Sequence, residues 1–514
     1  MSQNLFESKI TQKTIGILLC IIIIAGISFR LIFSHIELPL NFDNLQYFLH
    51  AIDYSLREPT ILKIHNPGWP LFLSLFFTIF DSNNYLDFMA LQKIISIIIS
   101  SLTVIPIYFL GKKFFSKEWA LLGSVLFIFE PRIVQNSTFG ISDPLYIIGI
   151  TIAIVLLLYS KKNSEFLAFV ILGLSITVRS EGLFLIPAFV IIYFLQKNIS
   201  KDSIIKILIS LLIISIVLSA ITYYQNIESI NNNLFSKMDL GIKEIYSSPE
   251  TKLSGSPINL LVDGLINFIK FFGWSQIPIW MIFVPAGFII LLISKNKNTG
   301  IIFTLLFFIS LPTIYAFSFT NDTRYLFPLY PIFSVISIFF LTKLNLYENK
   351  KSIIKIVIVV GLIISSSIFL IWKDIDVEKE HEIFDLIKEI SDNEKIVNHF
   401  GYEASYSIPA GLEKSQIFPI SSKEIIQQTT KIVNVSRVNS FEEFMDSVIM
   451  ENVTHLVIKE VNHHTFLDDI FKNENDYPFL IKEYDSKDKG HEIHLKIFKI
   501  NYEKYKMIKI ISEN

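Results

Sequence analysis

The sequence has one cysteine, few charged residues and no glycine-rich loop for binding nucleotide phosphates. Cys20 lies within the first apolar run, so an intrachain disulfide is impossible and a thiolate-ligated metal site is not expected. Without a phosphate-binding loop, ATP-driven transport has no support. Charged residues form 18% of the 514 residues, whereas soluble domains carry about 25%. A formal net charge of −2 gives no reason to expect nucleic acid as a partner.

Long apolar runs fill most of the chain before Lys373. Several reach the roughly 20 residues that are needed to cross a hydrocarbon core about 30 Å thick. The pattern predicts a mainly α-helical, polytopic protein that is integral to the lipid bilayer. The stretch Pro67–Phe80 is shorter and favours an interfacial or re-entrant helix. The eleven expected spans lie near residues 14–34, 88–110, 118–135, 144–159, 165–179, 182–195, 204–223, 277–294, 300–318, 325–342 and 352–372.

The distribution of lysine predicts the orientation of these spans. Short cytoplasmic loops carry an excess of lysine and arginine. If the N-terminus is cytoplasmic, with Lys9 and Lys13, then every second loop is rich in lysine and the opposite loops are poor in it. We therefore expect the first loop, 34–87, and everything after Lys373 to be extracytoplasmic. The lysine-rich loops hold Lys112, Lys113 and Lys117; Lys161 and Lys162; Lys197 and Lys201; Lys295 and Lys297; and Lys343, Lys350 and Lys351.

The segment 374–514 differs from the rest because its charges are dense and its apolar runs are short. Stretches rich in Ile and Val predict strands, and helical periodicity predicts helices between them. The alternation indicates a small α/β domain, separate from a transmembrane domain over 1–373. The predicted strands are Lys395–Phe400, Lys431–Val435, His455–Lys459 and His494–Ile500, and the predicted helices are Glu378–Ile390, Ser422–Gln428 and Phe441–Met450.

Ionisable residues in and beside the spans gather on the predicted external side, where they are functional candidates because charge is costly in a bilayer. Asp43, Tyr47 and Ala51 recur at helical spacing and so share one helix face. A carboxylate there suits a general base for an alcohol or amide acceptor, and a solvated residue of a loop helix is the alternative. The residues at this edge are Asp43, Asp53, His65, Glu130, Arg132, Asp143, Arg179, Glu181, Asp322 and Arg324.

Arg179 and Arg324 are candidate phosphate clamps, since guanidinium binds phosphate oxygens in bidentate fashion. The structural alternative for each arginine is an ion pair with the acid beside it. For Asp143 the alternative is a helix cap, because Asp is preferred at that position and proline follows it. His65 is a candidate contact to phosphate or sugar, or an exposed residue of a plain turn.

Five segments, which follow one another in order along the first 345 residues, resemble motifs of the GT-C superfamily of integral-membrane glycosyltransferases. The resemblance is strongest to its protein O-mannosyltransferase and lipid A aminoarabinose transferase branch. Two positions depart from the motifs: Gly68 replaces the second proline of a His-Pro-Pro turn, and Asn44 follows Asp43 where many relatives have a second acid. The matching segments are Arg30 with Asp43, Tyr47 and Ala51; His65-Asn66-Pro67 with Leu71; Ser142-Asp143-Pro144-Leu145; Arg179-Ser180-Glu181-Gly182; and Arg324-Tyr325-Leu326-Phe327-Pro328-Leu329-Tyr330-Pro331.

The resemblance implies eleven or more spans, juxtamembrane helices in the first loop and an external C-terminal domain. It implies transfer of a sugar from a polyprenyl-phosphate carrier, dolichyl in archaea and eukaryotes, with inversion at the anomeric carbon. By this resemblance Asp43 deprotonates the acceptor and Asp143 orients acceptor or donor. The lipid phosphate and sugar are then bound by Arg324, Arg179, His65, Tyr47, Glu181 and Tyr325.

The predicted function is therefore transfer of a single, mannose-like hexose to a protein or glycan acceptor on the non-cytoplasmic face. Transfer of a whole oligosaccharide is less favoured because the Trp-Trp-Asp-Tyr-Gly motif of the oligosaccharyltransferase branch is missing. No cofactor is expected, and the single acid at Asp43 does not support a divalent metal. Two alternatives stay open: a flippase or transporter of lipid-linked sugar, and a membrane-anchored sensor or assembly subunit. The pattern leaves the oligomeric state open.

Overall fold

The computed structural model describes residues 11–40, 42–59, 66–159, 164–228, 257–278, 280–294, 297–343, 348–392, 418–428, 440–450, 453–460, 465–491 and 494–513. Within these residues the chain forms two compact units. The first unit comprises Met1–His35, Lys63–Leu73 and Leu91–Trp372. The second comprises Ile36–Leu62, Ser74–Ala90 and Lys373–Asn514. The predicted division of the chain after residue 373 stays a prediction.

Helices dominate the described residues. Short 3-10 helices lie at Ser180–Phe184, Thr323–Leu329, Glu474–Asp476 and Ser486–Lys489. The α-helices, numbered in chain order, are Gln12–Ile32 (α1), Phe42–Leu56 (α2), Gly68–Phe77 (α3), Tyr85–Leu102 (α4), Val104–Lys112 (α5), Lys117–Ile128 (α6), Pro131–Thr138 (α7), Asp143–Tyr159 (α8), Ser164–Val178 (α9), Leu185–Gln196 (α10), Lys201–Glu228 (α11), Pro257–Ser275 (α12), Trp280–Ile293 (α13), Lys297–Ala316 (α14), Tyr330–Lys343 (α15), Glu348–Asp392 (α16), Ser422–Gln428 (α17), Phe441–Met450 (α18), Thr465–Lys472 (α19) and Tyr502–Glu513 (α20).

The apolar helices confirm the predicted membrane fold. Among the described residues, Leu261–Ser275 and Trp280–Ile293 form a pair bent by 118°, which is either a broken span or a re-entrant loop. Four apolar helices are shorter: Gly68–Phe77, Asp143–Tyr159, Ser164–Val178 and Ser180–Gln196. The six described helices that are long and apolar enough to cross a bilayer are Gln12–Ile32, Tyr85–Lys112, Lys201–Tyr223, Asn298–Ala316, Thr323–Lys343 and Lys355–Lys373.

One predicted span, 118–135, is wrong as a continuous helix. Helix α6 ends at Ile128, and a new helix, α7, starts at Pro131. The carboxylate of Glu130 caps the new helix by accepting the Ile133 N–H at 2.8 Å. Proline lacks the N–H that a continuing helix needs but suits a first helical position. The Glu-Pro pair therefore stops one helix and starts the next.

Close backbone contact holds part of the first unit together. A Cβ atom on Gly287 of α13 would lie 2.1 Å from the carbonyl oxygen of Ile336 on α15. A glycine is therefore required for the two helices to approach this closely. Small residues serve helix packing in membranes in the same way, because lipid offers little hydrophobic drive for association.

The C-terminal part of the second unit is built on an antiparallel sheet. Its described strands, His455–Lys459 (β1), Leu480–Asp485 (β2) and Leu495–Ile500 (β3), have the spatial order β1-β3-β2. The predictions for β1 and β3, and for helices α17 and α18, are confirmed. The predicted helix Glu378–Ile390 is the end of α16. Strand β2 was not predicted, and the predicted strands Lys395–Phe400 and Lys431–Val435 lie outside the described residues.

Helix α2 of the first loop contacts C-terminal residues of the same unit. The buried carboxylate of Asp53 accepts the Ser422 N–H at 2.7 Å and also accepts the Ser422 hydroxyl. The rings of Phe48 and Phe418 stack with centroids 6.2 Å apart. Asp53, a candidate functional residue by sequence, therefore anchors α2 to the start of α17.

Candidate active site

An ion-paired cluster in the first unit joins two segments that are far apart in sequence. Asp143 begins α8 and is buried, at 1% exposure. Arg179 stands in the break between α9 and the 3-10 helix Ser180–Phe184. Its Nη1 pairs with Asp143 Oδ1, and its Nη2 donates to Glu181 Oε1 at 3.0 Å. One guanidinium thus binds two carboxylates from two different segments.

A third segment completes this cluster. The side chain of Asp322 caps the 3-10 helix Thr323–Leu329 by accepting the Arg324 N–H at 2.9 Å. The same carboxylate accepts Arg324 Nε–H at 2.7 Å. The Arg179 guanidinium lies over the Tyr325 ring, 5.2 Å from its centroid, in a cation–π contact. Asp143 is close enough to interact electrostatically with both arginines.

The cluster forms one wall of a cavity. The cavity is small, with a volume of about 10 Å³, which is room for about one water molecule. The hydroxyl of Thr313 donates to the Tyr325 carbonyl at 2.8 Å, which fixes the 3-10 helix against α14. The polar lining consists of Tyr146, Arg179, Glu181, Thr313 and Tyr325, and the apolar lining of Leu185, Ile309, Pro312 and Pro328. An apolar side next to a few convergent polar groups is the lining that ligand sites commonly have.

The ion pairs leave further hydrogen-bonding capacity in this cluster. A guanidinium has five N–H donors, and the Arg179 bonds to Asp143 and Glu181 use two of them. Asp143 Oδ2 has no hydrogen-bond partner among the described residues. The cluster therefore has N–H donors for an anion at Arg179, and beside them a buried carboxylate oxygen of Asp143 that could accept a hydroxyl group.

Other candidates lie on α2, which belongs to the second unit. Asp43 is in the first turn of α2 and is exposed, while Tyr47 is half-buried and Ala51 is buried. Burial lowers the pKa of His50 on this helix to about 4, so its imidazole is neutral at pH 7. His65 lies outside the described residues.

Arg30 and Arg132 have structural partners. Arg30 is fully buried, and its Nη1 donates to the carbonyls of Ile128 at 2.9 Å and Gly26 at 3.1 Å. Its Nε and Nη2 donate to the hydroxyls of Ser137 and Ser100, both at 3.1 Å. Arg132 donates to backbone carbonyls at the bend between α12 and α13 and lies 3.7 Å from Glu130. These two arginines hold helix ends in place.

The geometry bears on each predicted site residue in a different way. Arg179 and Arg324 both pair with the neighbouring acid, as the structural alternative expected. Arg179 also binds Asp143, which no local pattern predicted. Tyr146 and Thr313 line the cavity but were not predicted as site residues. Tyr146 follows Asp143 by three residues and so shares its helix face, whereas nothing in the sequence marked Thr313.

Comparisons with known proteins agree with this architecture. The model of the dolichyl-phosphate-mannose-protein mannosyltransferase family matches residues 64–224. ArnT from Cupriavidus metallidurans, solved with undecaprenyl phosphate, superposes with a TM-score of 0.59 at 7% identity, covering 95% of this chain and 98% of ArnT. No curated protein sequence matches the chain significantly.

Two structures of an archaeal enzyme show the same fold. The apo oligosaccharyltransferase of Archaeoglobus fulgidus gives a TM-score of 0.56 at 11% identity, over 88% of this chain and 70% of that enzyme. AglB from the same organism, solved with an inhibitory peptide and a dolichol-phosphate, gives 0.53 at 11% identity over the same shares. The chain therefore has the fold of the GT-C superfamily of integral-membrane glycosyltransferases, and the resemblance drawn from its sequence motifs is confirmed.

Proposed function

We propose that this protein transfers a single, mannose-like hexose from a polyprenyl- or dolichyl-phosphate carrier to a protein or glycan acceptor. The observation that carries the proposal is the cavity wall at Arg179, where guanidinium, carboxylate and phenol groups adjoin an apolar surface. A lipid-phosphate donor has the matching chemistry, with a charged headgroup next to an apolar chain. The undecaprenyl phosphate bound by ArnT and the dolichol-phosphate bound by AglB support this donor class.

The mannose and the protein acceptor are supported by the family whose model matches residues 64–224. The distribution of lysine supports a reaction on the non-cytoplasmic face, with a cytoplasmic N-terminus and an extracytoplasmic C-terminal segment. Neither the sugar and acceptor nor the membrane face is argued from the geometry at Arg179. If either assignment is wrong, the polyprenyl-phosphate donor is still supported.

The proposed reaction needs a base, a positioned sugar and a stabilised leaving group. Asp43 removes the proton from the acceptor hydroxyl or amide, and the acceptor atom attacks the anomeric carbon from the face opposite the phosphate. The bond from carbon to phosphate oxygen breaks, its electron pair leaves with the polyprenyl phosphate, and the configuration inverts. Because no covalent enzyme intermediate forms, catalysis rests on positioning and electrostatic stabilisation.

Each candidate residue has a proposed role in this reaction. Arg179 and Arg324, with His65, bind the phosphate and stabilise its charge as it leaves. Asp143 holds Arg179 and offers its second oxygen to a hydroxyl of the donor or the acceptor. Glu181, Tyr325 and Tyr47 are proposed contacts to the sugar. The base role of Asp43 is supported by the first-loop motif and by its exposed place in the first turn of α2.

An assay with purified protein in liposomes tests this proposal. The donor is a polyprenyl-phosphate hexose with radiolabel in the sugar, supplied with a peptide or glycan acceptor. Release of polyprenyl phosphate, with label appearing in the acceptor, is the expected result. Movement of intact donor across the bilayer without cleavage would instead support a flippase and contradict the transferase. We also expect EDTA to leave the release rate unchanged, because the proposal assigns no step to a metal.

A further inference from the structure

The N-terminal turn of helix α3 contacts the chain just before Asp143. Trp69 is fully buried, and its indole Nε1 donates to the carbonyl oxygen of Gly140 at 3.1 Å. Gln92 Nε2 donates to the same oxygen at 2.8 Å. Gly140 has a φ of 72°, in the left-handed region that favours glycine. Two side chains therefore fix one carbonyl three residues before Asp143.

The same turn contacts the chain just before Arg179. A Cβ atom on Gly68 would lie 2.7 Å from the backbone nitrogen of Val178 and 2.8 Å from the backbone carbon of Thr177. Real Cβ atoms essentially never approach other atoms this closely. The nearest neighbour is the Thr177 hydroxyl oxygen at 2.6 Å, but the other two are backbone atoms of α9, which cannot move aside as a flexible side chain would. Gly68 thus lets α3 lie directly against the residue that precedes Arg179.

We propose that Gly68 and Trp69 form a clamp that sets the spacing between Asp143 and Arg179, and that both are positioning residues for donor phosphate. This inference rests on the proposed function. Helices α8 and α9 pack against each other, and the turn at Gly68 and Trp69 adds contacts at the ends where Asp143 and Arg179 lie. These contacts limit movement of the two side chains, and small errors in the position of a binding group are costly.

The clamp also explains a departure from the family motif. Gly68 stands where the resemblance expects the second proline of a His-Pro-Pro turn. A proline at this position would place its Cβ against Thr177 and Val178 in the same way as alanine. In this chain the close approach of α3 to α9 therefore requires glycine.

The test compares Trp69→Phe with Trp280→Phe. Trp280 is equally buried in the same unit, but its Nε1 has no hydrogen-bond partner among the described residues. Trp69→Phe keeps an aromatic ring and removes the N–H that Gly140 accepts. We expect about a tenfold rise in donor KM, the usual effect of losing one buried hydrogen bond, with acceptor KM unchanged. Trp280→Phe should leave both KM values within about twofold, since no bond to the site is lost.

A second comparison separates positioning from general destabilisation. If the clamp acts through Arg179, Trp69→Phe should change donor KM by less than about twofold when Arg179→Lys is already present. Gln92→Met, which removes the other donor to Gly140, should also raise donor KM and serves if Trp69→Phe does not fold. Equal effects of Trp69→Phe and Trp280→Phe, or an undiminished effect of Trp69→Phe beside Arg179→Lys, would overturn the clamp.

The failure of the proposed function gives a different result. An active wild type with indistinguishable tryptophan variants rejects the clamp alone. A wild type that neither cleaves polyprenyl-phosphate hexose nor retains polyprenyl phosphate on purification rejects the proposed function, and the clamp with it.

Discussion

Two arginines in the first unit, the fully buried Arg30 and the partly buried Arg179, show how the same side chain serves structure in one place and a site in another. Arg30 donates to two carbonyls and two hydroxyls, and none of these partners is charged. Arg179 pairs with two carboxylates, lies over an aromatic ring and lines a cavity. Burial alone therefore does not identify a functional arginine, whereas the nature of its partners and its access to a cavity do.

Two aspartates on α2 form a parallel comparison in the second unit. Asp43 is exposed in the first turn, while Asp53 is fully buried and accepts two hydrogen bonds from Ser422. By sequence both belong to the same acidic edge. The structure gives Asp53 a stabilising contact, and the proposed chemistry belongs to Asp43.

The largest effect is expected when Asp43 is changed to Asn. Loss of a general base lowers turnover by between about 10²- and 10⁴-fold, and the variant should unfold at the wild-type temperature because the side chain is exposed. Asp53→Asn is the matched control, which should lower thermal stability and leave the turnover per folded molecule unchanged. Release of polyprenyl phosphate and thermal unfolding in detergent measure the two effects. Full activity of Asp43→Asn would remove the residue from the base role.

Arg179→Lys should have the next largest effect. Lysine keeps the charge but loses the planar fork that binds a carboxylate and a phosphate together. We expect the catalytic efficiency toward the donor to fall about 100-fold, as when one preorganised donor to a developing anion is lost. Arg57→Lys, at an exposed position of the second unit, is the control and should be unchanged. A wild-type efficiency in Arg179→Lys would mean that Arg179 is as structural as Arg30.

Arg30→Met should have the opposite effect to Arg179→Lys, lowering stability and leaving the donor KM unchanged. The substitution leaves the carbonyl of Ile128 and its other partners without a buried donor, and each unsatisfied group costs about 1–3 kcal/mol. We expect the free energy of unfolding to fall by about 3 kcal/mol or more, with donor KM unchanged for the molecules that fold. Denaturant titration in detergent and steady-state kinetics provide the two numbers. A raised donor KM in a stable variant would place Arg30 in the site.

The smallest expected effect is on the pH dependence of folding stability, through His50 in the second unit. Burial holds the pKa of His50 at about 4, below its value of about 6.5 in the unfolded chain. The unfolded state therefore binds more protons, and stability falls as pH drops below about 6.5 and levels off below about 4. We expect about 1 kcal/mol of loss from pH 6.5 to 5.5, and His50→Gln should remove that part of the loss. An identical pH profile in the variant would contradict the neutral, buried state of His50.

The membrane spans were predictable because apolar length is a local property of the chain. The Glu130-Pro131 pair is a helix-breaking signal in the sequence, but the apolar residues on both sides of it favoured one continuous span. Strand β2 escaped prediction because Leu480–Asp485 lies at the edge of the sheet and exposes polar residues. The pairing of Arg179 with Asp143, 36 residues apart, follows from how two helices pack. No pattern within one segment encodes that packing, so motif and charge indicated the residues but not their geometry.

Retention of lipid phosphate by purified protein tests the central claim most directly. Wild type, Arg30→Met, Arg57→Lys and Arg179→Lys are each purified in mild detergent with added polyprenyl phosphate and weighed by native mass spectrometry. We predict a bound lipid phosphate on the first three and its loss from Arg179→Lys alone. Equal retention by Arg179→Lys and the wild type would contradict a phosphate site at the Arg179 wall.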